Sequence, residues 1–333
     1  GYKLPDETEE KIEAIILDKN YQIKTKIGGE VGKRIYCKTA VEDYINHVVS
    51  VTDVRFDGLN IAIDTANGSA SVCAKEIFTR LGAKCHMLSD TPNGVNINDK
   101  CGSTHPEELM AFVKANKLDL GVAFDGDADR MLAVDENGEL VDGDKIIAIC
   151  ASQMKQDGKL AKDTAVVTVM SNMGFFKFCE ENEINCAKTA VGDRYVLERM
   201  LQKGYNIGGE QSGHVIFLDY ATTGDGELSA VKLIETVVKS GATLGALAKI
   251  MTVYPQVLIN VPVTPEGKLK YNNDEYIISA VQEAEMELHG DGRVLVRVSG
   301  TEPLVRVMLE GKNIEQITKL GNQIADVVKE RLS

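Results

Sequence analysis

The amino-acid sequence predicts an α/β protein with two mixed, mainly parallel α/β domains followed by a smaller α+β domain at the C-terminus. Short apolar runs alternate with amphipathic stretches as far as about Met251, and this order is typical of parallel strands joined by helices. Beyond Pro255 the order changes to strand, helix, two strands and helix. The chain of 333 residues is also long enough for more than one hydrophobic core.

Composition and charge restrict the class of protein. Apolar residues make up 44% of the chain and charged residues 26%, which is typical of a folded soluble protein. The net charge of −13 opposes binding to nucleic acid or to an anionic membrane. The seven cysteines are scattered without a C-x-x-C pair, which favours a reduced compartment. Since no apolar run approaches the roughly 20 residues of a membrane span and no signal peptide is expected, the sequence predicts a cytoplasmic protein.

The first half of the chain is predicted to contain two helices and then one α/β unit. Helices are assigned where apolar residues recur every three to four positions, and strands where short apolar runs lie between turn residues. A capping box, Thr104-x-x-Glu107 with Pro106 in the first turn, is expected to open the helix that ends at Asn116. The predicted elements are, in order, helices at Thr8–Leu17 and Ala40–Val49, a strand at Asn60–Asp64, a helix at Ala70–Leu81, a strand at Lys84–Leu88, a helix through Leu109–Asn116, and strands at Leu120–Phe124 and Met131–Asp135.

The second half is predicted to contain another α/β unit and the small C-terminal domain. Asp142-Gly143 is expected to open the second unit, after the tight turn at Asn137-Gly138. The predicted domains are 40–139, 140–253 and 254–333, after a connecting segment at 1–39. The predicted elements are a helix at Lys145–Met154, a strand at Ala165–Met170, a helix at Gly174–Glu181, a strand at Val257–Val263, a helix at Glu275–Leu288, two strands around Ser299–Glu302 and a helix at Ile314–Leu332.

Three aspartates occupy alternate positions of DGDADR, the acidic loop (residues 125–130). Asp125, Asp127 and Asp129 follow a predicted buried strand, and such close carboxylates repel one another unless a cation lies among them. Oxygen ligands favour a hard ion such as Mg²⁺. A solvated acidic turn is the simplest alternative, and a phosphatase with Asp125 as its nucleophile is the enzymatic one. A helix–loop–helix calcium site is disfavoured, because Arg130 occupies the position where that loop needs glycine.

A glycine-rich segment, GGEQSGH, joins two short apolar runs and forms the glycine loop (residues 208–214). Its glycines allow the backbone to approach a ligand closely, and Glu210 and Ser212 can bond to neighbouring sugar hydroxyls. An ordinary glycine-rich turn is the alternative. His214 taken alone indicates a structural role more than a catalytic one.

Arginine and hydroxyl side chains surround a glycine-containing turn near the C-terminus, the arginine loop (residues 297–306). Arg297 and Arg306 can each make bidentate contacts with an anion, and the hydroxyls of Ser299 and Thr301 can complete such a site. Strand alternation predicts that Arg297 and Ser299 face the same side as Arg293. The alternative is a β-ribbon with surface arginines.

The segment VGDRY, the Asp193 loop (residues 191–195), lies between a predicted strand and a predicted helix. Asp193 is placed to cap that helix, and capping alone would explain it. On its own the segment therefore indicates local structure.

Taken together and in this order, DGDADR, VGDRY, GGEQSGH and RVSGTEP resemble the α-D-phosphohexomutase superfamily. GEQSGH and SGTEP resemble the phosphoglucosamine mutase branch more than the phosphomannomutase/phosphoglucomutase branch, which remains an alternative. The resemblance covers practically the whole chain. It implies a protein of four domains around one cleft, in which each domain contributes one loop.

The resemblance also implies a role for each matching residue. It makes Asp125, Asp127 and Asp129 the ligands of Mg²⁺, and it makes His214 a candidate for proton transfer. It implies that the substrate is bound by Arg130, Gly192, Asp193, Arg194, Glu210, Ser212, Arg297, Ser299, Gly300, Thr301 and Arg306.

The activity that the resemblance implies is Mg²⁺-dependent interconversion of glucosamine 6-phosphate and glucosamine 1-phosphate. The reaction runs through a phosphoserine and a 1,6-bisphosphate, and it leads to UDP-N-acetylglucosamine and peptidoglycan. The resemblance implies that glucose or glucosamine 1,6-bisphosphate activates the full-length enzyme. A homodimer is one possible assembly of that enzyme. The alternatives are an aspartyl-phosphate phosphatase and a non-catalytic module that binds sugar phosphates.

The serine of the family lies in a T-A-S-H-N-P-type motif, and these 333 residues contain no such motif. Gly1-Tyr2-Lys3-Leu4 resembles the stretch shortly downstream of it. We therefore expect residues 1–39 to be the tail of the first domain with a linker, and we expect this chain alone to be inactive.

Overall fold

The computed structural model describes residues 2, 4–19, 21–299 and 302–333, and the chain forms two compact units. The larger unit contains the chain up to Met170 together with Asn182–Ile250. The smaller unit contains Ser171–Glu181 and Met251–Ser333. Within these described ranges, none of the helices has the length and apolar character that a bilayer crossing requires.

The helices and strands follow the order that the sequence predicts. The α-helices are α1 (Asp6–Leu17), α2 (Ala40–Val49), α3 (Ala74–Leu81), α4 (Glu107–Asn116), α5 (Gly143–Gln156), α6 (Met173–Glu181), α7 (Asp193–Lys203), α8 (Gly226–Ser240), α9 (Leu244–Leu247), α10 (Pro265–Lys270), α11 (Glu275–Leu288) and α12 (Ile314–Leu332). The strands are β1 (Asn60–Asp64), β2 (Lys84–Leu88), β3 (Leu120–Phe124), β4 (Met131–Val134), β5 (Leu140–Val141), β6 (Thr164–Thr168), β7 (Asn185–Thr189), β8 (Ile207–Gly209), β9 (Val215–Phe217), β10 (Gln256–Pro262), β11 (Gly292–Val298) and β12 (Leu304–Gly311). Short 3₁₀ turns lie at Gly28–Glu30, Ser69–Val72, Ala161–Asp163, Ala248–Ile250 and Tyr271–Asn273.

The larger unit contains two mixed sheets. The first has the strand order β2-β1-β3-β4-β5, with β1, β2 and β3 parallel and with β4 and β5 antiparallel to their neighbours. The second has the order β7-β6-β8-β9, in which only β9 is antiparallel. Every residue of β3 and of β6 is buried, as expected for strands with neighbours on both edges and cover on both faces.

The smaller unit is an antiparallel sheet of order β10-β12-β11 with helices on it. Alternate residues of β12, namely Val305, Val307 and Leu309, point to a core shared with α12. Glu310 is fully buried, and its carboxylate accepts from Arg293 Nε (2.6 Å) and from the amide of Met173 (2.9 Å). These bonds attach the start of α6 to this sheet.

Two local predictions between residues 40 and 139 were wrong. The predicted capping box does not form, because α4 begins after Pro106, which already has helical backbone angles (φ −80°, ψ −1°) and supplies no side-chain cap. The predicted helix Ala70–Leu81 is divided at Cys73 (φ −128°) into a 3₁₀ turn and α3. The amide of Ser69 donates to the Gly126 carbonyl (2.9 Å) instead of continuing a helix.

Candidate functional site

The acidic loop connects β3 to the antiparallel β4, with Phe124 and Met131 directly opposite each other. Ala128 adopts the left-handed conformation (φ 59°), which closes the turn. As a result, Asp125, Asp127 and Asp129 each offer an oxygen within 4.8 Å of the others. Asp125 is buried and Asp127 exposed, so the group is open on one side.

The electrostatics of this loop suit a hard cation. Burial raises the pKa of Asp125, while the amide of Arg130, which donates to Asp125 Oδ1 (3.2 Å), opposes that rise. Arg130 Nε lies 3.6 Å from Asp125 Oδ2 and 3.7 Å from Asp129 Oδ1. Asp129 Oδ1 is buried without a hydrogen-bond partner among the described residues. Three hard carboxylate oxygens this close together could hold Mg²⁺.

The glycine loop is the turn between β8 and the antiparallel β9. Its Gly213 carbonyl accepts from the amide of Met131 (3.0 Å), the first residue after the acidic loop. Gly213 has φ 96°, and a Cβ atom there would collide with the Met131 carbonyl, so the contact requires glycine. Glu210 is half-buried and Ser212 is exposed. The two loops are therefore adjacent.

His214, at the end of the glycine loop, contacts two other loops. Its side chain is only 4% exposed, and its Nδ1 atom lies 3.2 Å from Asp129 Oδ2. Its Nε2 atom accepts from the amide of Gly224 (3.1 Å) and lies 3.4 Å from Asp193 Oδ2. The histidine thus joins the acidic loop to the Asp193 loop.

The Asp193 loop ends at the start of α7. The expected cap is wrong, because Gly192 (φ 127°) takes the N-cap position, no side chain caps it, and Asp193 is the first residue of α7. The amide of Gly192 donates to Glu210 Oε1 (3.0 Å). Arg194 forms ion pairs with Glu198 (3.0 Å) and with Asp6. Three of the predicted loops therefore lie together in the larger unit.

The arginine loop belongs to the smaller unit. Arg297 and Arg306 are directly opposite each other on β11 and β12, so both side chains point to the same face of the sheet. Burial and the charge of Arg306 lower the pKa of Arg297. Arg306 is paired with Glu302 (2.6 Å), yet its Nε atom is buried without a partner among the described residues. An anion would relieve this concentration of positive charge.

Of the other site residues that the sequence predicts in the arginine loop, the structure describes Ser299. Ser299 is buried, and its Oγ atom accepts from the amide of Glu302 (3.3 Å). Gly300 and Thr301 lie outside the described residues. Arg293 donates to Glu310 and to the carbonyl of Ser171 (2.6 Å), which makes it a structural arginine.

A supporting segment, Thr222–Glu227, was not identified from the sequence. The amide of Gly226 donates to the carbonyl of Ala128 in the acidic loop (2.9 Å). A Cβ atom on Gly224 would collide with the His214 ring, and one on Gly226 would lie 2.7 Å from the Arg130 carbonyl. The two glycines flank Asp225, which caps α8, and this G-D-G pattern before a helix was the available signal.

A buried acidic cluster lies beside the acidic loop, in a cavity of about 520 Å³ that Asp127 and Asp129 also line. The hydroxyl of Tyr44 donates to Asp225 Oδ1 (2.9 Å), and the thiol of Cys73 donates to Glu227 Oε1 (3.2 Å). Burial raises the pKa of Glu227 to about 7. Glu227 is therefore protonated over part of the neutral pH range.

We expect Glu227→Gln to stabilise the protein at alkaline pH. The pKa of Glu227 rises from 4.5 to about 7 on folding. The contribution of this side chain to the stability of the folded protein is therefore fully present below pH 4.5, and it is lost as the pH rises through about 7. Glutamine resembles the neutral acid, so the variant should match wild type at about pH 4.5 and exceed its free energy of unfolding by about 3 kcal/mol at about pH 8. Denaturant titrations at both pH values measure this difference. The exposed Glu107→Gln is the control, and a pH-independent difference for Glu227→Gln would contradict the assignment.

Comparisons with known proteins match three consecutive domains of one protein family. Family models for phosphoglucomutase/phosphomannomutase match alpha/beta/alpha domain II at residues 42–138, alpha/beta/alpha domain III at 142–254 and the C-terminal domain at 258–327. The phosphoglucosamine mutase of Brevibacillus brevis is 51% identical over 332 residues, which cover 100% of this chain and 74% of that protein. The phosphoglucosamine mutase of Alkaliphilus oremlandii is 52% identical, with the same coverage.

Solved structures show the same fold at lower identity. The N-acetylphosphoglucosamine mutase of Aspergillus fumigatus matches with a TM-score of 0.73 at 20% identity, over 87% of this chain and 64% of that one. A structure of that enzyme in complex with GlcNAc-6P and magnesium gives a TM-score of 0.71, also at 20% identity, over 88% and 65%. Since about half of the residues are identical to the bacterial relatives along the full length of this chain, the chain belongs to the phosphoglucosamine mutase family.

Proposed function

We propose that this chain provides the metal-, sugar- and phosphate-binding parts of a Mg²⁺-dependent mutase that interconverts glucosamine 6-phosphate and glucosamine 1-phosphate. The observation that supports this most is the direct bonding of the acidic loop, the glycine loop and the Asp193 loop in one unit. The identity of about 50% to proteins named phosphoglucosamine mutase supports the choice of sugar.

The acidic loop is proposed to hold the metal ion. Asp125, Asp127 and Asp129 are the proposed ligands, and their hard oxygen atoms fit Mg²⁺. Asp129 Oδ1 has no hydrogen-bond partner in the described part of the chain. A bound Mg²⁺ supplies charge neutralisation for a phosphoryl group during transfer. Arg130, whose guanidinium lies beside Asp125 and Asp129 and is about half exposed, is proposed to contact the substrate.

The glycine loop and the Asp193 loop are proposed to bind the sugar. Ser212 is exposed, so its hydroxyl is available to a ligand. Glu210 is oriented by the amide of Gly192, and the carboxylate can accept from sugar hydroxyls. Asp193 and Arg194 complete the proposed substrate contacts of this unit. His214, whose Nδ1 atom lies 3.2 Å from Asp129 Oδ2, is proposed as the candidate for proton transfer.

The arginine loop is proposed to bind the phosphate group that is not being transferred. Arg297 and Arg306 lie on one face, and the buried Ser299 carries a further hydroxyl in the same loop. Gly300 and Thr301 are proposed to complete the phosphate contacts. The same residues would serve both isomers, because each presents one phosphate for binding while the other position reacts. Binding a remote phosphate positions the reacting oxygen.

The full reaction transfers a phosphoryl group from a phosphoserine to O1 of glucosamine 6-phosphate and then returns the 6-phosphoryl group to the serine. The bound 1,6-bisphosphate must reorient between the two transfers. A structure of the Aspergillus fumigatus enzyme contains glucose 1,6-bisphosphate, which supports such an intermediate and activator. We further propose domains at 40–139, 140–253 and 254–333, each contributing one of these functions.

Calorimetric titration tests the choice of sugar. We expect glucosamine 6-phosphate to bind this chain in the presence of Mg²⁺ more tightly than mannose 6-phosphate or glucose 6-phosphate does. Binding measurements suit this chain because they need no phosphoserine. Tighter binding of mannose 6-phosphate or glucose 6-phosphate would favour the phosphomannomutase/phosphoglucomutase alternative and would contradict the proposal.

A further inference from the structure

We propose that Asp142, which directly precedes α5, is a positioning residue that fixes the tip of the glycine loop through Gln211. The fixed tip presents Glu210 and Ser212 to the sugar. This inference rests on the proposed function, because it takes the glycine loop as the sugar-binding segment. It gives Asp142, which the sequence indicates only as the start of a domain, a task in ligand binding.

The tip of the glycine loop is a tight turn. The amide of Gly213 donates to the carbonyl of Glu210 (3.0 Å), so Gln211 and Ser212 occupy the two central positions of the turn. Ser212 is exposed, whereas Gln211 is half-buried. Because neighbouring residues of a turn share one backbone, the placement of Gln211 determines where Glu210 and Ser212 point.

The side chain of Gln211 is bonded to Asp142. Its Nε2 atom donates to Asp142 Oδ2 (3.2 Å). The other carboxylate oxygen, Oδ1, accepts from the amide of Lys145 (3.1 Å) and thereby caps α5. A carboxylate can accept through both oxygens at once. Asp142 therefore joins the loop tip to the first turn of a helix of 14 residues.

The main chain of Gln211 is bonded to the same helix. The amide of Gly143, the first residue of α5, donates to the Gln211 carbonyl (3.0 Å). A Cβ atom on Gly143 would collide with the carbonyl oxygen of Glu210, so this close approach requires glycine. The loop tip is thus held at both its side chain and its main chain.

The carboxylate of Glu210 is held separately, since its Oε1 atom accepts from the amide of Gly192 (3.0 Å). With these bonds in place, the loop tip has one arrangement before a ligand binds. Groups that are already ordered lose less conformational freedom on binding. Without the bond between Asp142 and Gln211, the tip would have to become ordered when the sugar binds, and the affinity for the sugar would fall.

Two substitutions of Asp142 separate this task from the capping of α5. Serine and asparagine cap helices about as well as aspartate does, so both should preserve the helix. Asparagine also has a second polar atom, and its amide can donate to Oε1 of Gln211 once that side chain has turned over. Serine has a single oxygen, which lies about where the aspartate Cγ atom lies, so it caps the helix without reaching Gln211.

Calorimetric titration with glucosamine 6-phosphate in the presence of Mg²⁺ measures the difference. We expect Asp142→Ser to bind the sugar phosphate at least about tenfold more weakly than wild type, because a hydrogen bond to a charged group is lost. Asp142→Asn should stay within about threefold of wild type. Melting temperatures and the Mg²⁺ affinity without sugar should match wild type in both variants, because the cap and the acidic loop are unaltered.

Gln211→Ala removes the same bond from the other side. Its loss of affinity should be similar to that of Asp142→Ser, and combining the two substitutions should add little, because both remove one interaction. If Asp142→Ser does not fold, Gln211→Ala decides the matter, and wild-type affinity in that variant would overturn the proposal.

The outcomes distinguish the two levels of the account. If wild type and Asp142→Ser bind glucosamine 6-phosphate equally well, Asp142 does not position the loop. An equal loss in Asp142→Asn, or a loss accompanied by a lower melting temperature or a lower Mg²⁺ affinity, would show a purely structural role and would also overturn the proposal. If wild type itself does not bind glucosamine 6-phosphate, the proposed function fails and this inference fails with it.

Discussion

Arg306→Ala is expected to weaken the binding of glucosamine 6-phosphate and of glucosamine 1-phosphate to the same degree, by roughly 10- to 150-fold. Glucosamine itself should be hardly affected, because it has no phosphate group. The range follows from a hydrogen bond to a charged group, which contributes about 1.5–3 kcal/mol. Both isomers should lose affinity alike, because the arginine loop is proposed to bind whichever phosphate is not reacting.

The geometry of the smaller unit supports this expectation. Arg306 lies opposite Arg297, and Glu302 is the only carboxylate paired with either guanidinium in the described part of the chain. Removing Arg306 therefore removes one of two adjacent guanidiniums that share a single carboxylate in the described ranges. The measurement is a calorimetric titration of both sugar phosphates and the free sugar at fixed ionic strength.

Arg331→Ala is the matched control, since Arg331 is a half-exposed arginine of the same unit that is paired with Asp274 (3.0 Å). It should leave both affinities unchanged. Equal affinities of wild type and Arg306→Ala would show that the arginine loop does not bind phosphate. A loss for one isomer alone would contradict a shared phosphate site.

Asp127→Ala is expected to lower Mg²⁺ affinity at least about tenfold, or about 1.4 kcal/mol, without loss of stability in the absence of metal. Asp127 is the exposed member of the aspartate group, so its replacement opens no cavity. Removing one of three close carboxylates also relieves repulsion. Melting temperatures without Mg²⁺ should hold or rise.

Calorimetric Mg²⁺ titrations and thermal scans with and without the ion measure both effects. Asp90→Ala is the control, because Asp90 is an exposed aspartate elsewhere in the same unit. Unchanged Mg²⁺ affinity in Asp127→Ala would refute the metal site. A large fall in stability without metal would indicate that the loop is structural.

The elements that the sequence predicts with the correct bounds are determined by residues that lie close together in the chain. Hydrophobic periodicity locates β1, β2, β3, α11 and α12 with the observed bounds, because burial of one face repeats within a few residues. The acidic loop can likewise be identified from the sequence, because its aspartates occupy alternate positions of one short segment. The capping box failed for a local reason, because Pro106 lies at the N-cap position that Thr104 was expected to occupy.

The features missed from the sequence depend on residues that meet only in the folded chain. Cys73 contacts Glu227 across 154 positions, and Tyr44 contacts Asp225 across 181. No local pattern predicts such pairs. The contact between Gly224 and His214 also depends on how the glycine loop and the start of α8 pack. The role of Glu227 could therefore not be predicted from sequence spacing, and the G-D-G pattern of the supporting segment indicates only a helix cap.

The most direct test of the central claim is a ³¹P NMR titration of glucosamine 6-phosphate with this chain in the presence of Mg²⁺. The account predicts that the sugar-phosphate resonance shifts or broadens as the chain is added and that no inorganic phosphate appears. An unperturbed resonance would show that these residues do not bind a hexosamine phosphate. Steady release of inorganic phosphate would instead identify a phosphatase, with Asp125 as its expected nucleophile, and would contradict the account.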